Sequence, residues 1–349
     1  MSALRLSPFL LAVCLAAASL FSGCGAGEPE RDGVPAAVAA AEVGEAAGYA
    51  GDEACQSCHA DLYASYHETP MGRSVTRSAP PRAPAGFPAA GRGPAVYSDE
   101  LDLYYQAYVR GDTLYQREFR LDAASAVTYE RVEHADYVIG SGHNTRSYLM
   151  HEDGYVTEMP LTWYVERALW DLSPGYDVGN PRFSRPTNLE CVTCHNGLPE
   201  HTPFTQNHFA ELEVGITCER CHGPAAAHVA ARERGEAPAE GPPDPFVVDP
   251  ADLSREQQLA VCQQCHLEGV TVFEPGEDPT TFRPGELLGA HRTVFVRADQ
   301  LDDPEQFGVA SHDFRLAQSA CYQQSEMTCT TCHDPHRSVE ALRAELGED

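Results

Sequence analysis

The chain contains no lysine, so all 24 of its basic residues are arginine. Against them stand 52 acidic residues, and the formal net charge is −28. A nucleic-acid binder needs a basic face for phosphate contacts, and adsorption to anionic lipid needs basic residues too. The charge balance therefore excludes nucleic acid as a partner, and it allows contact with a membrane only through a lipid anchor.

Long apolar runs are equally scarce. The one run of note covers residues 9–20, follows Arg5, and is too short to span a membrane. It leads into Phe21-Ser22-Gly23-Cys24, where small residues precede a cysteine. This pattern predicts a lipoprotein signal peptide at 1–23 and lipidation of Cys24, with ordinary cleavage to a soluble periplasmic protein as the alternative. We expect an exported bacterial protein, either periplasmic or attached to the outer membrane.

Aromatic residues make up only 9% of the chain, and Pro and Gly are frequent, which indicates many loops. Residues 24–48 have no apolar periodicity and predict a flexible linker. The main domain is expected at 49–337, followed by a short tail at 338–349. Within it, residues 95–161 predict a β-rich insertion with two hairpins, turning at 111–112 and at 152–154. Residues 254–262 and 338–346 have helical character.

Thirteen cysteines and fifteen histidines are the unusual numbers, and most of them fall into one pattern. Cys-x-x-Cys-His is the attachment signal for haem c: the thiols bond the two vinyl groups and the histidine binds the iron. The pattern occurs five times, at Cys55/Cys58/His59, Cys191/Cys194/His195, Cys218/Cys221/His222, Cys262/Cys265/His266 and Cys329/Cys332/His333. The sequence thus predicts five covalent haems, ten thioether cysteines and five proximal histidines.

Other uses of paired cysteines fit less well. A disulfide framework suits an exported protein, but it does not explain a histidine after every pair. Zinc sites would leave one of five pairs without a partner, and a thioredoxin motif occurs once rather than five times. Cys14 leaves with the signal peptide, so Cys321 remains, and we expect it to be a buried free thiol.

Ten further histidines are available as sixth ligands for five irons. His228 follows a motif after one short loop, and His143 lies on a glycine-flanked turn. His201 and His336 lie close to motifs in the chain, and His67 and His312 are intermediate candidates. Met71 is the candidate methionine ligand, with simple packing as the alternative. The remaining four are expected at the surface or in the core: His134, His151, His208 and His291.

Several stretches between the motifs resemble one family, the multihaem cytochromes of the cytochrome c-554/c-552 type. They are Tyr49-Ala50-Gly51-Asp52-Glu53-Ala54-Cys55, Met71-Gly72-Arg73-Ser74, Tyr137-Val138-Ile139-Gly140-Ser141-Gly142-His143, Met159-Pro160-Leu161-Thr162-Trp163-Tyr164, Gly215-Ile216-Thr217-Cys218 and Arg283-Pro284-Gly285-Glu286. The resemblance implies a haem-packed fold and electron transfer, and it favours His143, His201, His228 and His336 as functional. Bacterial members often carry tetratricopeptide repeats, which these 349 residues do not contain.

Three functions follow from these features. The first is an electron relay, whose acidic surface suits docking to a redox partner with a basic face. The second is an enzyme acting on a small nitrogen or sulfur oxyanion at one five-coordinate haem, although no distinct catalytic motif is present. The third is a subunit of a conducting complex or filament. The expected fold is α plus irregular structure packed round five haems, with the small antiparallel insertion.

Overall fold

The computed structural model describes residues 48–78, 91–236, 243–267, 269–298 and 312–347. The predicted signal peptide, Cys24 and nearly all of the predicted linker lie outside these ranges. The nine α-helices of the described part, α1 to α9 in chain order, are Glu53–Gln56, Ala60–Tyr66, Leu189–His195, Glu219–His222, Ala226–Glu233, Arg255–His266, His312–Gln318, Ala320–Gln323 and Val339–Leu346. Short 3₁₀ turns lie at Pro250–Asp252, Leu288–Ala290 and Cys329–Thr331.

All strand pairings in the described residues are antiparallel. The thirteen strands, β1 to β13, are Val75–Arg77, Gly91–Ser98, Leu103–Arg110, Thr113–Leu121, Val127–His134, Tyr137–Ile139, Thr145–Glu152, Tyr155–Glu158, Leu161–Tyr164, Leu169–Leu172, Arg185–Pro186, Val270–Phe273 and Arg292–Phe295. One sheet has the order β2-β3-β4-β5, and a second has the order β1-β6-β7-β8-β11 with β9 and β10 added beside β7. A separate hairpin joins β12 to β13.

Both predicted hairpins are present. The first pairs β3 with β4 across Gly111, and the second pairs β7 with β8 across Gly154. Gly111 and Gly154 have φ of +61° and +84°, the left-handed conformation that these tight turns require. The strands of the two sheets run from Val75 to Pro186, however, so the sheets start earlier and end later than the predicted 95–161.

The apolar core of the described residues lies mainly in the sheets. Alternate residues of β3 are buried, namely Leu103, Tyr105 and Ala107, and they pack with residues of β9 and β10 such as Trp170. A second cluster fills the space between the second sheet and α3. The apolar cluster beside the later helices is small, and its buried members are Ala260, Phe282 and Leu288. The helical part therefore has little side-chain core of its own.

Helix boundaries follow local capping chemistry. Ser254 begins α6 with a capping box, in which its side chain and that of Gln257 bond each other's backbone N–H groups. Ser338 caps α9 in the same position. Both helices were expected from the sequence, although α6 continues past the predicted end to His266. None of the helices in the described ranges is long and apolar enough to cross a membrane.

Candidate haem centres

The five Cys-x-x-Cys-His motifs, numbered 1 to 5 in chain order, each form one helical turn. In motifs 1, 3 and 5 the histidine N–H donates to the carbonyl of the first cysteine, at 2.9 Å for His59 and 3.1 Å for His222 and His333. Motifs 2 and 4 form the last turns of α3 and α6. Because residues three and four apart share a helix face, each turn directs both thiols and the imidazole to one side.

Polar side chains from other segments hold the start of these turns. The Cys191 N–H donates to Oδ1 of Asn188 at 3.0 Å, which caps the helix of motif 2. The Cys218 N–H donates to Oδ1 of Asp52 at 2.9 Å, so a residue just before motif 1 supports motif 3. Motifs 1 and 3 are thereby tied together although they lie far apart in the chain.

Three of the five motif histidines face a second histidine ring. The ring centroids of His59 and His228 lie 6.4 Å apart, those of His222 and His336 lie 5.9 Å apart, and those of His266 and His312 lie 5.5 Å apart. An iron bound by two opposed imidazoles holds their centroids about 6 Å apart, because each metal–nitrogen bond is about 2 Å long. The spacing therefore fits a haem iron in all three pairs.

Second hydrogen bonds leave Nε2 available in two of these pairs. Nδ1 of His222 lies 2.9 Å from the Val248 carbonyl, which can only accept, so Nδ1 carries the proton. Nδ1 of His228 donates to the Asp244 carboxylate at 2.9 Å. Such partners orient a ligating histidine and set its tautomer. Neither Asp244 nor Val248 was expected from the sequence, because nothing near them marks a site.

Burial also favours the ligating form of the imidazole. It lowers the pKa of His195, His222 and His266, and neighbouring imidazoles lower it further. A lowered pKa keeps the ring neutral at physiological pH, and neutral imidazole is the form that binds a metal.

His195 and His333, the histidines of motifs 2 and 5, have no second histidine ring within stacking distance in the described residues, which include all fifteen histidines. His333 is exposed, whereas His195 is half-buried. Of the candidates, His143 is exposed and acts electrostatically on Glu340 in α9, the helix that follows motif 5. His143 is thus near motif 5 but is not paired with its histidine.

Two other candidates have different neighbours. Nε2 of His67 lies 2.8 Å from Oδ2 of Asp52, and its ring packs against Tyr63. The Met71 carbonyl accepts the Ile216 N–H at 3.0 Å, which places this methionine beside the irregular segment that leads to motif 3. Neither His67 nor Met71 lies against a motif histidine.

His201 lines a cavity beside the helix of motif 2. The cavity has a volume of about 510 Å³ and is also lined by Leu189 of that helix, Tyr49 and Arg283. Arg283 lies over the Tyr49 ring, 5.7 Å from its centroid. The cavity therefore combines an imidazole, a cation and apolar side chains close to Cys191.

The four histidines expected at the surface or in the core have protein partners elsewhere. His134 pairs with Asp136 and His151 donates to the Phe209 carbonyl. His208 bonds Thr202, and His291 lies between two carboxylates, with Nδ1 2.7 Å from Glu277 and Nε2 3.1 Å from Glu286.

Thiols of different motifs meet, and these contacts connect all five motifs. Cys55 of motif 1 lies beside Cys218 of motif 3, Cys194 of motif 2 lies beside Cys265 of motif 4, and Cys262 of motif 4 lies beside Cys329 of motif 5. Motifs 3 and 4 are joined by Nε2 of Gln264, which donates to the Arg220 carbonyl at 3.0 Å. Motif 4 consequently touches motifs 2, 3 and 5, and motif 1 is reached through motif 3.

Cys58, the second cysteine of motif 1, is exposed, and its Sγ lies 3.7 Å from the hydroxyl of the adjacent Ser57. The reason is local, because Cys58 lies in the turn between α1 and α2, and Tyr66 is the only buried residue of these two short helices. The polypeptide therefore leaves this thiol uncovered, and its thioether bond stays a prediction.

Two other motif cysteines are exposed, Cys191 of motif 2 and Cys332 of motif 5, and the remaining seven are half-buried. Each exposed thiol belongs to a motif whose other cysteine is half-buried and meets a thiol of another motif. Motifs 1, 2 and 5 thus each have one half-buried thiol and one exposed thiol.

The eleven cysteines of the described ranges form no disulfide. Within these ranges, no three His, Cys, Asp or Glu side chains converge in a way that could hold a metal ion by themselves. Cys321 is exposed, so the prediction that it is buried is wrong. It lies on the short helix α8, which presents the thiol to solvent.

One buried and one half-buried arginine test whether the site suits a group that carries carboxylates. Arg220 is 5% exposed, and Arg292 is half-buried beside motif 4. The Nε atoms of both are buried and have no hydrogen-bond partner. A buried donor without an acceptor is costly, and haem c brings two propionate carboxylates that guanidinium groups bind well. The residues present therefore fit haem.

Comparison with known proteins agrees with these features. A family model described as "Cytochrome c554 and c-prime" matches residues 178–223, which contain motifs 2 and 3. The multiheme cytochrome MtrA of Shewanella baltica (strain OS185) is 22% identical over 164 residues, or 43% of this chain. That alignment covers 46% of the relative, so the chain spans about half the length of the curated protein that it matches.

One solved structure is also similar, that of the outer cell wall cytochrome OcwA. It has 22% sequence identity and a TM-score of 0.45, and the match covers 74% of this chain and 47% of that chain.

Proposed function

Since the chain is a multihaem c-type cytochrome, we propose that it binds five haems covalently and relays electrons between redox partners. The observation that carries this proposal is the set of contacts that joins all five motifs, so that no motif stands apart. When bound, haem c supplies one-electron transfer between the ferric and ferrous states of its iron.

The chain's own residues have two roles in this proposal. The ten motif cysteines, the exposed Cys58 among them, hold the macrocycles by thioether bonds, and the five motif histidines are the proximal ligands. His228, His336 and His312 are the sixth ligands at motifs 1, 3 and 4 respectively, because their rings lie 5.5–6.4 Å from the proximal rings. Two imidazole ligands leave no open position on an iron, which favours transfer of electrons over chemistry on a substrate.

The partner is proposed to be a redox protein with a basic docking face. A net charge of −28 steers such a protein to the surface, and it makes the association rate depend on salt. Export is proposed from residues 1–23, and attachment to a membrane is proposed through lipid at Cys24.

Intact mass and a haem count on the protein from a host with haem c maturation test the first part. We expect five haems per chain, and removal of one cysteine pair, for example Cys329→Ala with Cys332→Ala, should leave four. A count of four in the unchanged protein would contradict the proposal. Electron exchange with a basic small cytochrome, followed by stopped flow, should slow about tenfold or more as salt rises from about 10 to about 500 mM.

One observation favours a second candidate function at motif 2. Among the described residues His195 lacks a partner histidine ring, and the adjoining cavity is lined by His201, Tyr49 and Arg283. An open iron with a guanidinium and a phenol nearby would suit a small nitrogen or sulfur oxyanion. Carbon monoxide binding to the reduced protein tests this alternative, because it requires an open iron. Loss of binding in Cys191→Ala/Cys194→Ala, but not in Cys329→Ala/Cys332→Ala, would assign it to motif 2.

A further inference from the structure

Asp244 is a half-buried carboxylate beside His228, the proposed sixth ligand at motif 1. Its Oδ2 accepts the Nδ1 proton of His228 at 2.9 Å, and the side chains of Asp244 and His228 are 15% and 21% exposed. The Phe246 N–H donates to Oδ1 of Asp244 at 2.9 Å, and Nη2 of Arg232 donates to Oδ2. These three donors hold the carboxylate in one orientation and favour its ionised form.

The bond to Asp244 changes how strongly His228 can bind a metal. Because Nδ1 donates to the carboxylate, Nε2 is the atom left for an iron, and the 6.4 Å between the ring centroids of His228 and His59 leaves room for one. A carboxylate that accepts the Nδ1 proton makes an imidazole more basic and therefore a stronger donor to the metal. Stronger donation and a nearby negative charge both stabilise ferric iron relative to ferrous iron.

The two imidazoles proposed for motif 3 have different partners. Nδ1 of His222 donates to the Val248 carbonyl, which carries no formal charge, at 2.9 Å. Nδ1 of His336 lies 3.8 Å from Oδ1 of Asp334, too far for a hydrogen bond, and that oxygen accepts the backbone N–H of His336 instead. Among the described residues, neither ring at motif 3 donates to a carboxylate, whereas His228 at motif 1 does.

We propose that Asp244, acting through His228, lowers the reduction potential of the haem at motif 1 below that of the haem at motif 3. This inference rests on the proposed function, since it requires haem at both motifs and His228 as a ligand. The two motifs are neighbours, because the Cys218 N–H of motif 3 donates to Asp52, just before motif 1, at 2.9 Å. An electron that enters at motif 1 would then pass to motif 3 with a favourable change in free energy.

Redox titration of Asp244→Asn tests the proposal, because Asn keeps an acceptor oxygen and removes the charge. One of the five midpoints should rise. At its original midpoint the ratio of reduced to oxidised haem should increase about tenfold, a shift of about 59 mV for one electron. Asp244→Glu keeps the charge and should stay near the wild-type value.

Asp136→Asn is the matched control. Asp136 forms the same kind of pair, with Nε2 of His134 at 3.1 Å, but the ring of His134 packs against Tyr115 rather than a motif histidine. This substitution should move no midpoint.

The same substitution in a chain that carries His228→Ala shows whether Asp244 acts through its ligand. Most of the shift caused by Asp244→Asn should disappear there, because the residue that transmits it is gone. An equal shift with and without His228 would overturn the proposal. A purely structural role predicts that Asp244→Asn lowers stability while all five midpoints stay unchanged, and this result would also overturn it.

If Asp244→Asn does not mature, the order of midpoints in the unchanged protein still decides. Cys55→Ala with Cys58→Ala removes the midpoint of motif 1, and Cys218→Ala with Cys221→Ala removes that of motif 3. The midpoint missing from the first chain should be the lower of the two. The reverse order would overturn the proposal.

A haem count on the same samples separates this inference from the function on which it rests. Fewer than five haems in the unchanged protein contradicts the function. Five haems with midpoints that do not respond to Asp244 contradicts only the role of this carboxylate.

Discussion

The ring of His228 lies 6.4 Å from that of His59, and its Nδ1 is occupied by Asp244. Its Nε2 is therefore the atom available to an iron at motif 1. Replacing His228 by Ala should leave that iron five-coordinate, because none of the other histidines in the described ranges has its ring within stacking distance of His59. We expect about one iron in five to become high-spin in the ferric EPR spectrum and to bind carbon monoxide.

His208→Ala is the matched control for this substitution. His208 bonds Thr202 at 2.7 Å and packs against Tyr155, so its ring contacts are with neither a motif cysteine nor a motif histidine. Its loss should leave the spin states as they are. Equal spectral changes in both variants would mean that general disorder, rather than a lost ligand, is the cause.

A second prediction at this scale concerns Glu158, whose pKa is raised because burial outweighs its ion pair with Arg185, at 3.0 Å. The folded state then holds the proton more tightly than the unfolded state does. The contribution of Glu158 to stability should therefore fall as pH rises from about 4.5 up to the raised folded-state pKa, and be constant above it. Glu158→Gln should lack this fall.

Guanidinium unfolding of the haem-loaded protein from about pH 4 to about pH 8 measures the effect of Glu158. The free energy of unfolding of the Gln variant relative to wild type should increase with pH over that window. A difference that is the same at every pH, or that decreases, would contradict the assignment.

Single residues also show which features of the site could be predicted from the sequence and which could not. The five motifs are local patterns and could be predicted as such, whereas the exposure of Cys58 could not, because it depends on what the rest of the fold covers. Pairings of sixth ligands are not local: His228 follows motif 3 in the chain but faces motif 1, and His336 follows motif 5 but faces motif 3. Arg220 could not be recognised as a site residue either, because no sequence pattern marks a buried arginine that lacks an ion pair.

At the scale of elements, one buried carboxylate joins the segment before motif 1 to the helix of motif 3. Glu219 is 4% exposed and accepts the backbone N–H groups of Ala50, Gly51 and Ala225 at 2.8–3.0 Å. Glu219→Gln replaces one acceptor oxygen by a donor that faces these N–H groups. We expect the free energy of unfolding to fall by about 2–3 kcal/mol, since hydrogen bonds to a charged group are lost in a buried place.

Chemical unfolding measures this loss, with Glu68→Gln as the control. Glu68 is exposed and its pair with Arg73 is long, at 3.4 Å, so its substitution should cost less than about 1 kcal/mol. Equal effects at the two positions would contradict a specific role for Glu219.

Helices and strands could be predicted from the sequence where local residues, such as a turn glycine or a capping serine, set where the element begins or ends. Hairpins with glycine turns and helices with serine caps are such cases. Two strands outside 95–161, β1 and β11, were not predicted, because they are two or three residues long and form only where a longer strand offers an edge.

At the scale of the whole molecule, apolar packing is divided unevenly. The two large clusters belong to residues 75–212, whereas the cluster beside the later helices has only three buried members. Haem should thus replace a side-chain core mainly in the helical part. In a chain whose ten motif cysteines are alanine, we expect strands β2–β10 to remain protected and the helices after residue 212 to unfold.

Hydrogen exchange followed by mass spectrometry resolves these two regions. Slow exchange in 103–172 with fast exchange in 255–347 is the expected pattern. Uniform fast exchange would show that the sheets also depend on haem, and uniform protection would show that the helices do not.

The central claim is that the chain positions haem irons between paired histidines so that electrons pass through them. Quantitative low-temperature EPR of the isolated ferric protein, with a haem count on the same sample, tests it most directly. The account predicts five haems per chain, of which at least three, those of motifs 1, 3 and 4, are low-spin with two imidazole ligands. High-spin signals from more than two of the five irons would contradict it.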